Sequence, residues 1–230
     1  MSSELPEPPW SSRRGRRPRR EPLTREALTT VALRIVDEDG LDALSMRRLA
    51  QELGVQASGL YTYVSGKAEL LQLMLERVSA EVEVPDPDPE HWQEQVKDVL
   101  RGLYRVLGSH RDLAGAALAN IPLSASALTF ADRAIALLIA GGLPPKVAAL
   151  AADLLPQFVT VSAYEGSLFA QRLEREPDYF DRVTAFFSAL PPERFPTLMS
   201  LTDELMSNEG DERFEFGLDV LIRGLATFVP

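Results

Sequence analysis

Residues 45–64, SMRRLAQELGVQASGLYTYV, constrain the fold of this chain more than any other stretch. Their apolar positions recur at helical spacing on both sides of one glycine, which predicts two very short amphipathic helices. Ser45 suits the N-cap of the first helix, and Gly54 can adopt the left-handed backbone that ends it. Ala50 supplies the small residue needed where two helices cross closely, and Leu60 supplies an apolar anchor under the second helix. The stretch therefore predicts a helix-turn-helix.

The outer face of the second helix is small and polar. Small residues let a backbone approach base edges closely, and hydroxyl and amide groups can bond bases or phosphates. The alternative is an ordinary helical hairpin with a solvated polar face, but the cap, the small residue and the turn glycine agree in one window. We therefore expect this face to lie in the major groove of DNA. Its residues are Gln56, Ala57, Ser58, Gly59, Tyr61 and Thr62.

Composition and proline spacing divide the chain into three parts. Residues 1–22 contain five prolines and six arginines, and we expect them to form a disordered, Arg-rich arm. Three prolines within residues 85–89 cannot continue a helix. They separate a helix-turn-helix domain with its connecting helix, at 23–84, from a larger domain at 90–230.

Every element predicted after these prolines is a helix. Apolar residues recur there at helical spacing, without convincing alternation at period two. The sequence therefore predicts an all-α fold, with an N-terminal three-helix helix-turn-helix domain and a larger helical domain. The helices predicted in the larger domain span about 90–109, 110–119, 125–140, 145–175, 177–189, 196–206 and 211–228.

The distribution of charge assigns any contact with DNA to the first third of the chain. The formal net charge is −10, which by itself argues against a nucleic-acid partner. However, residues 1–70 carry 11 basic and 10 acidic side chains, whereas residues 71–230 carry 13 basic and 24 acidic ones. The acidic excess therefore lies outside the helix-turn-helix.

The absence of cysteine excludes disulfides and thiolate metal sites. A reducing cytoplasm is the simplest location for such a chain. No apolar run approaches the roughly 18 residues that span a bilayer, so no membrane partner is expected.

A longer motif set resembles a known family. The stretch LTREALTTVALRIVDEDGLDALSMRRLAQELGVQASGLYTYVSGKAELL is similar to the DNA-binding domain of the tetracycline-repressor (TetR) family, and the resemblance covers roughly residues 23–75. FEFGLDVLIRGL at 214–225 resembles the effector-binding half of the tetracycline-repressor branch. The resemblance implies a homodimeric, sequence-specific transcriptional regulator, most often a repressor, that a small-molecule effector releases from a palindromic operator.

The resemblance also implies roles for individual residues at the operator. Arg47 would reach a guanine in the major groove, while Ser45 and Met46 would lie beside phosphates. Tyr63 and Lys67 would hold phosphates as well. For the arm, a solvated tail and a segment that neutralises phosphates or enters the minor groove both stay open. The residues expected to contact DNA are Ser45, Met46, Arg47, Gln56, Ala57, Ser58, Gly59, Tyr61, Thr62, Tyr63 and Lys67, together with Arg16 and Arg17 of the arm.

The larger domain is expected to dimerise and to bind the effector. The family dimerises through its last two long helices, here about 145–175 and 211–228, as a four-helix bundle. The dimer residues expected on the second helix are Val220, Leu221, Leu225 and Phe228. The expected ligand residues are Phe158, Tyr164, Glu165 and Phe169, with ordinary core or interface packing as the alternative.

No enzyme, metal or cofactor signature is present. The two histidines, His91 and His110, lack a second ligand at helical spacing. The tetracycline repressor places a metal-liganding His shortly after an Arg-Asp pair, but residues 113–118 after Arg111 and Asp112 contain none, which argues against a tetracycline–magnesium ligand. Two alternatives stay open: an all-α small-molecule-binding protein or enzyme with a non-functional helix-turn-helix, and an activator or nucleoid-type binder that uses the Arg arm.

Overall fold

The computed structural model describes residues 22–120, 123–207 and 211–230. Within these ranges the chain forms twelve α-helices and no strand, so the predicted all-α fold is confirmed. The helices are α1 (Arg25–Asp39), α2 (Met46–Glu52), α3 (Ala57–Leu60), α4 (Lys67–Ser79), α5 (Trp92–Gly108), α6 (Leu113–Leu118), α7 (Ala125–Ala140), α8 (Pro145–Arg175), α9 (Tyr179–Ser188), α10 (Pro196–Ser200), α11 (Thr202–Met206) and α12 (Glu212–Ala226).

The caps of the first two helices follow the local sequence signals. The Ala27 backbone N–H donates to the Thr24 hydroxyl at 3.1 Å, which starts α1, and the Arg48 N–H donates to the Ser45 hydroxyl at 3.1 Å, which starts α2. Gly54 follows α2 with a φ of +63°, the left-handed conformation predicted for the turn.

Two predicted helices differ from the structure. The second of the two short helices predicted within residues 45–64, expected near 56–63, is helical only at Ala57–Leu60. The residues after it form a turn, in which the Tyr63 carbonyl accepts a hydrogen bond from the Arg25 side chain at 2.8 Å. The helix predicted at 196–206 divides into α10 and α11, because Leu201 leaves the helical region with a φ of −120° and a ψ of 15°.

The apolar core consists of two clusters. The N-terminal cluster joins α1 to α4 and contains fully buried side chains such as Leu28, Leu60 and Met74. The C-terminal cluster joins α5, α7, α8 and α12. Helix α6 contributes Leu113 and Ala116 to the N-terminal cluster, although it follows the proline-rich segment in the chain. The apolar packing of the N-terminal cluster thus includes residues from both sides of the proline-rich segment. The domain boundaries at 84 and 90 remain a prediction from the sequence.

Helix α8 is the longest element, and it continues through Pro156. One face is buried in the C-terminal cluster, while the opposite face exposes apolar side chains. Helix α8 is long and apolar enough to cross a membrane, but the core helices of soluble proteins can have the same length and composition. The buried residues of α8 are Ala148, Ala151, Leu155, Val159 and Ala163, and its large exposed apolar residues are Leu150, Leu154, Val161 and Leu168.

Ion pairs join α5 to α12 beside this core. Arg101 donates from Nε and Nη2 to the two carboxylate oxygens of Glu215, at 2.9 and 2.8 Å, and Lys97 lies 2.6 Å from Asp219. The hydrogen bonds from Arg101 lower the pKa of Glu215, and the bond to Asp219 raises the pKa of Lys97. These pairs fix the position of α12 against α5.

Candidate nucleic-acid interface

The α2–α3 unit presents one face that is exposed in the described part of the chain. Leu60 on the opposite side of α3 is fully buried, whereas Gln56, Ser58 and Gly59 are exposed. Thr62 and Tyr61 are also exposed, with 56% of Tyr61 accessible. A Cβ atom added at Gly59 would meet nothing within 4 Å, so no contact within the described chain requires glycine there. A glycine of this kind suits close approach of the backbone to a ligand.

Two adjacent arginines on α2 have different roles. Arg48 lies 3.2 Å from Asp39 and 2.9 Å from Glu52, and a third arginine, Arg34, also lies 2.9 Å from Glu52. These hydrogen bonds, first from Arg34 and then from Arg48, lower the pKa of Glu52. Arg47 is exposed and has neither an ion pair nor a side-chain hydrogen bond within the described residues. Arg47 is therefore available to a partner such as DNA.

Three residues that the resemblance places beside phosphates also contact the chain. Lys67 donates from Nζ to the Leu41 carbonyl at 3.0 Å and is only partly exposed. Met46 and Tyr63 pack partly against the N-terminal cluster, as does Ala57 on α3. Arg16 and Arg17 lie outside the described residues. The DNA contacts assigned to all these side chains remain predictions.

The exit of α3 is held by Arg25, which the sequence reasoning missed. Arg25 donates to the Tyr63 carbonyl at 2.8 Å and to Glu69 Oε1 at 2.8 Å, and Glu69 Oε2 accepts from the Ser65 N–H at 2.7 Å. The backbone bond from Ser65 and its side-chain bond lower the pKa of Glu69. These bonds attach the end of α3 to both α1 and α4. No local sequence signal indicates them, because the bonded residues lie 38 and 44 positions apart.

The four predicted ligand residues lie in packed or paired positions. Phe158 is stacked parallel to Phe214 with ring centroids 5.6 Å apart. Tyr164 covers Gly115, where an added Cβ would come within 2.8 Å of the ring. Phe169 meets Phe180 edge-on at 6.3 Å. Glu165 pairs with Arg213 at 3.1 Å and is exposed.

A cavity of about 700 Å³ opens elsewhere, between the end of α4, the following loop and α7. None of the four predicted ligand residues lines it. Its apolar wall includes Phe130, and its polar groups include Arg133, which lies 3.5 Å from the exposed Asp86. The sequence did not indicate it because two stretches far apart in the chain, residues 79–85 and 126–133, supply the wall. The lining residues are Ser79, Ala80, Val82, Glu83, Val84, Pro85, Ser126, Thr129, Phe130 and Arg133.

Rows of exposed apolar side chains run along α8 and α12. On α12, Phe216 is 70% and Val220 is 53% accessible, and Phe228 just beyond the helix is 55% accessible. Exposed apolar rows of this kind mark interaction surfaces. Of the predicted dimer residues, Val220 and Phe228 lie in this exposed set, whereas Leu221 and Leu225 pack partly against the C-terminal cluster of their own chain.

Two protein-family models match the chain. Bacterial regulatory proteins of the tetR family match residues 28–74, and the tetracyclin repressor-like C-terminal domain matches residues 84–229. Among curated relatives, the HTH-type transcriptional repressor DrrR1 of Streptomyces coeruleorubidus is 32% identical over 225 residues, which cover 94% of this chain and 83% of the relative. Tetracycline repressor protein class G of Vibrio anguillarum is 31% identical over 207 residues, which cover 88% and 93%.

Solved structures show the same architecture. The Streptomyces coelicolor TetR family protein ActR in complex with actinorhodin superimposes with a TM-score of 0.83 at 42% identity, covering 90% of this chain and 98% of that one. Its complex with (S)-DNPA gives a TM-score of 0.82 at 41% identity, covering 91% and 100%. Both domains of the chain thus have counterparts in the same proteins.

Proposed function

The chain belongs to the TetR family of bacterial regulatory proteins, and from this premise we propose that it is a homodimeric repressor that a small-molecule effector releases from a palindromic operator. The observation that carries this proposal is the exposed α2–α3 face, on which Arg47 has no ion pair with any residue that the structure describes. The relatives are transcriptional regulators, which favours this function over an all-α enzyme or binding protein with a non-functional helix-turn-helix.

Each exposed side chain of the α2–α3 face has a chemical role at DNA. The Arg47 guanidinium suits a guanine, to whose O6 and N7 it can donate two parallel bonds, and the Gln56 amide suits an adenine. Ser58 can bond either bases or phosphates, and Gly59 lets the backbone approach. The Tyr61 hydroxyl, exposed at the end of α3, suits a phosphate oxygen.

The exposed apolar rows of α8 and α12 support a dimer of this chain. Packing these rows against those of a second copy would form a four-helix bundle and remove the apolar side chains from water. A twofold axis along that bundle would bring the two α3 helices to one side of the dimer. Two such helices about 34–36 Å apart would read successive turns of the major groove. Because the two helices are related by a twofold axis, the operator is expected to be a palindrome.

The cavity between α4 and α7 is the proposed effector site. Its volume of about 700 Å³ suits a small organic molecule, and its wall combines apolar residues with Arg133 and Glu83. Phe130 of this wall packs against the C-terminal cluster, as do Phe158 and Tyr164 of the predicted ligand residues. ActR has been solved with actinorhodin and with (S)-DNPA, so these two molecules are the first effectors to test.

An effector changes operator binding only through its different affinity for the two conformations of the repressor. The cavity includes the end of α4, and the beginning of α4 lies beside the recognition helix. A ligand that shifts α4 therefore changes the separation of the two recognition helices.

The proposal is tested by selecting bound duplexes from a random DNA pool. We expect an enriched palindrome with the wild type, loss of the enrichment with Arg47→Ala, and no change with Arg105→Ala, an exposed arginine of the effector domain. Actinorhodin and (S)-DNPA are then titrated against the selected duplex. Retention that depends only on salt, without enrichment, would instead support an unspecific DNA binder, and absence of retention would support the small-molecule-binding alternative.

A further inference from the structure

We propose that Asp112 is the positioning residue that couples the effector domain to the helix-turn-helix. Asp112 precedes α6, and its two carboxylate oxygens bind different parts of the molecule. Oδ2 accepts from the Leu41 N–H at 3.0 Å, and Oδ1 accepts from Gln171 Nε2 at 2.5 Å. Leu41 begins the short 3-10 helix (Leu41–Ala43) that precedes α2, and Gln171 lies near the end of α8. One side chain therefore holds both domains, and this inference rests on the proposed function.

The backbone around this carboxylate is shaped for the contact. Asp112 has a φ of +59° and is the only non-glycine residue with a positive φ in the described ranges. Residues with a Cβ rarely adopt this conformation, and aspartate is one of the few that tolerate it. Opposite it, Gly40 has a φ of +86°, and a Cβ there would come 3.0 Å from Asp112 Oδ2. The glycine leaves the space that the carboxylate occupies.

The hydrogen-bond connection continues from Leu41 to the DNA-facing side. The Leu41 carbonyl accepts from Lys67 Nζ at 3.0 Å, and Lys67 is the first residue of α4. A continuous series of polar contacts thus runs from Gln171 through Asp112 and Leu41 to Lys67. Displacement of Asp112 would release the short 3-10 helix before α2 and Lys67, the side chain that the family resemblance places beside a phosphate.

Residues on either side of Asp112 also contact the helix-turn-helix domain. His110 Nδ1 lies 3.0 Å from both carboxylate oxygens of Asp37 at the end of α1, and Leu113 is fully buried in the N-terminal cluster. The contacts of His110 and Leu113 attach the start of α6 to the helix-turn-helix domain, whereas the bond from Gln171 attaches Asp112 to α8. Loss of the Gln171 bond is therefore expected to loosen the relative position of the domains without unfolding either.

The test measures that relative position directly. The chain contains no cysteine, so Ser58→Cys on α3 and Lys146→Cys on α8 give one pair of spin-label sites per protomer. Dilution with unlabelled protein limits the measured distances to pairs within a protomer. Double electron–electron resonance then compares Gln171→Leu with Gln93→Leu, a partly buried glutamine of α5 that has no side-chain hydrogen bond within the described residues.

We expect Gln171→Leu to broaden or shift the distance distribution while Gln93→Leu leaves it unchanged, with equal melting temperatures for the two variants. Asp112→Asn, which removes one carboxylate acceptor, is expected to produce a similar change. An unchanged distribution in both Gln171→Leu and Asp112→Asn would overturn the coupling role. This measurement needs neither operator nor effector, so its failure is distinguishable from failure of the proposed function, which the duplex selection reports.

Binding completes the test, because a purely structural role would not change the response to an effector. We expect Gln171→Leu to reduce, by about tenfold, the ratio of operator affinities without and with actinorhodin, which corresponds to about 1.4 kcal/mol of coupling. A ratio equal to that of Gln93→Leu would contradict the proposal.

Discussion

Arg47 and Arg48 are adjacent on α2, yet only Arg48 is bound within the described chain, between Asp39 and Glu52. Substitution of Arg47 is therefore expected to affect operator binding, and substitution of Arg48 to affect stability. We expect Arg47→Ala to weaken operator binding by about 1–3 kcal/mol, the usual loss for a guanine contact, and to leave the melting temperature unchanged. Arg48→Ala is expected to cost about 0.2–1 kcal/mol of folding free energy, since exposed ion pairs contribute little. Gel-shift titration and thermal melting of both variants check this; equal effects on operator binding would contradict it.

Gly59 offers a test of close approach to DNA. A Cβ at this position has open space within the chain, so Gly59→Ala is expected to keep or raise stability, by up to about 1 kcal/mol from reduced backbone entropy. Operator affinity is expected to fall because the added methyl group separates α3 from the groove. The control is Gly108→Ala, another helical glycine with open space that lies away from DNA. Unchanged operator affinity in Gly59→Ala would exclude close approach at this residue.

Gly141 is expected to be intolerant of a side chain for a packing reason. An added Cβ would come 2.4 Å from Trp92 Cγ, near the root of a large buried ring that cannot move aside freely. Overpacking of this kind costs about 1–3 kcal/mol. Urea unfolding of Gly141→Ala, with Gly108→Ala as the control, measures the difference. Equal unfolding midpoints would show that the Trp92 ring can shift.

The Arg101–Glu215 pair predicts a specific pH dependence of stability. Its hydrogen bonds lower the pKa of Glu215 from the ordinary value of 4.5 in the folded chain. The pair's contribution is therefore fully present above about pH 4.5, and it is lost as the pH falls through the lower folded pKa. Both side chains are about one-third accessible or more, so screening limits the contribution to about 1 kcal/mol. The free energy of unfolding of Glu215→Gln should lie below that of the wild type at pH 7, and the gap should close in acid. A gap that stayed constant down to pH 3 would contradict this assignment.

The exposed row of α12 is expected to determine the oligomeric state. Val220→Arg places a charge in the middle of the proposed interface but contacts no core of its own chain, since Val220 is 53% accessible. We expect a monomer with an unchanged helical circular dichroism spectrum. Light scattering after gel filtration measures the mass, with Arg105→Ala as the control. A Val220→Arg dimer would show that another surface joins the protomers.

Sequence reasoning succeeded where structure is determined locally. Ser45 caps α2 and Gly54 turns the chain, and each of these signals acts within a few residues. The apolar spacing of α7 and α8 likewise indicates each helix from its own residues alone. The helix-turn-helix could therefore be recognised before any contact was known.

Contacts between distant segments were beyond that reasoning. The cavity wall combines residues 79–85, at the end of α4 and in the loop after it, with α7, and no spacing in the chain indicates that these two stretches lie close together. Asp112 reaches Leu41 across 71 positions, and Arg25 reaches Glu69 across 44. The aromatic character of Phe158 predicts a ligand residue, but aromatic character alone does not distinguish the wall of a pocket from a ring stacked on another ring, as Phe158 is on Phe214.

The packing of α6 limits how this protein can be recombined. A hybrid regulator made by joining residues 23–84 to the effector half of a relative would lose Leu113 and Ala116, which complete the apolar cluster beneath the helix-turn-helix. The foreign α6 would have to fit the same site with a matching shape, or the DNA-binding half would contain a void. The unit that can be exchanged intact thus includes α6, and new effector responses in this lineage would arise more readily by changing a cavity wall than by exchanging whole halves.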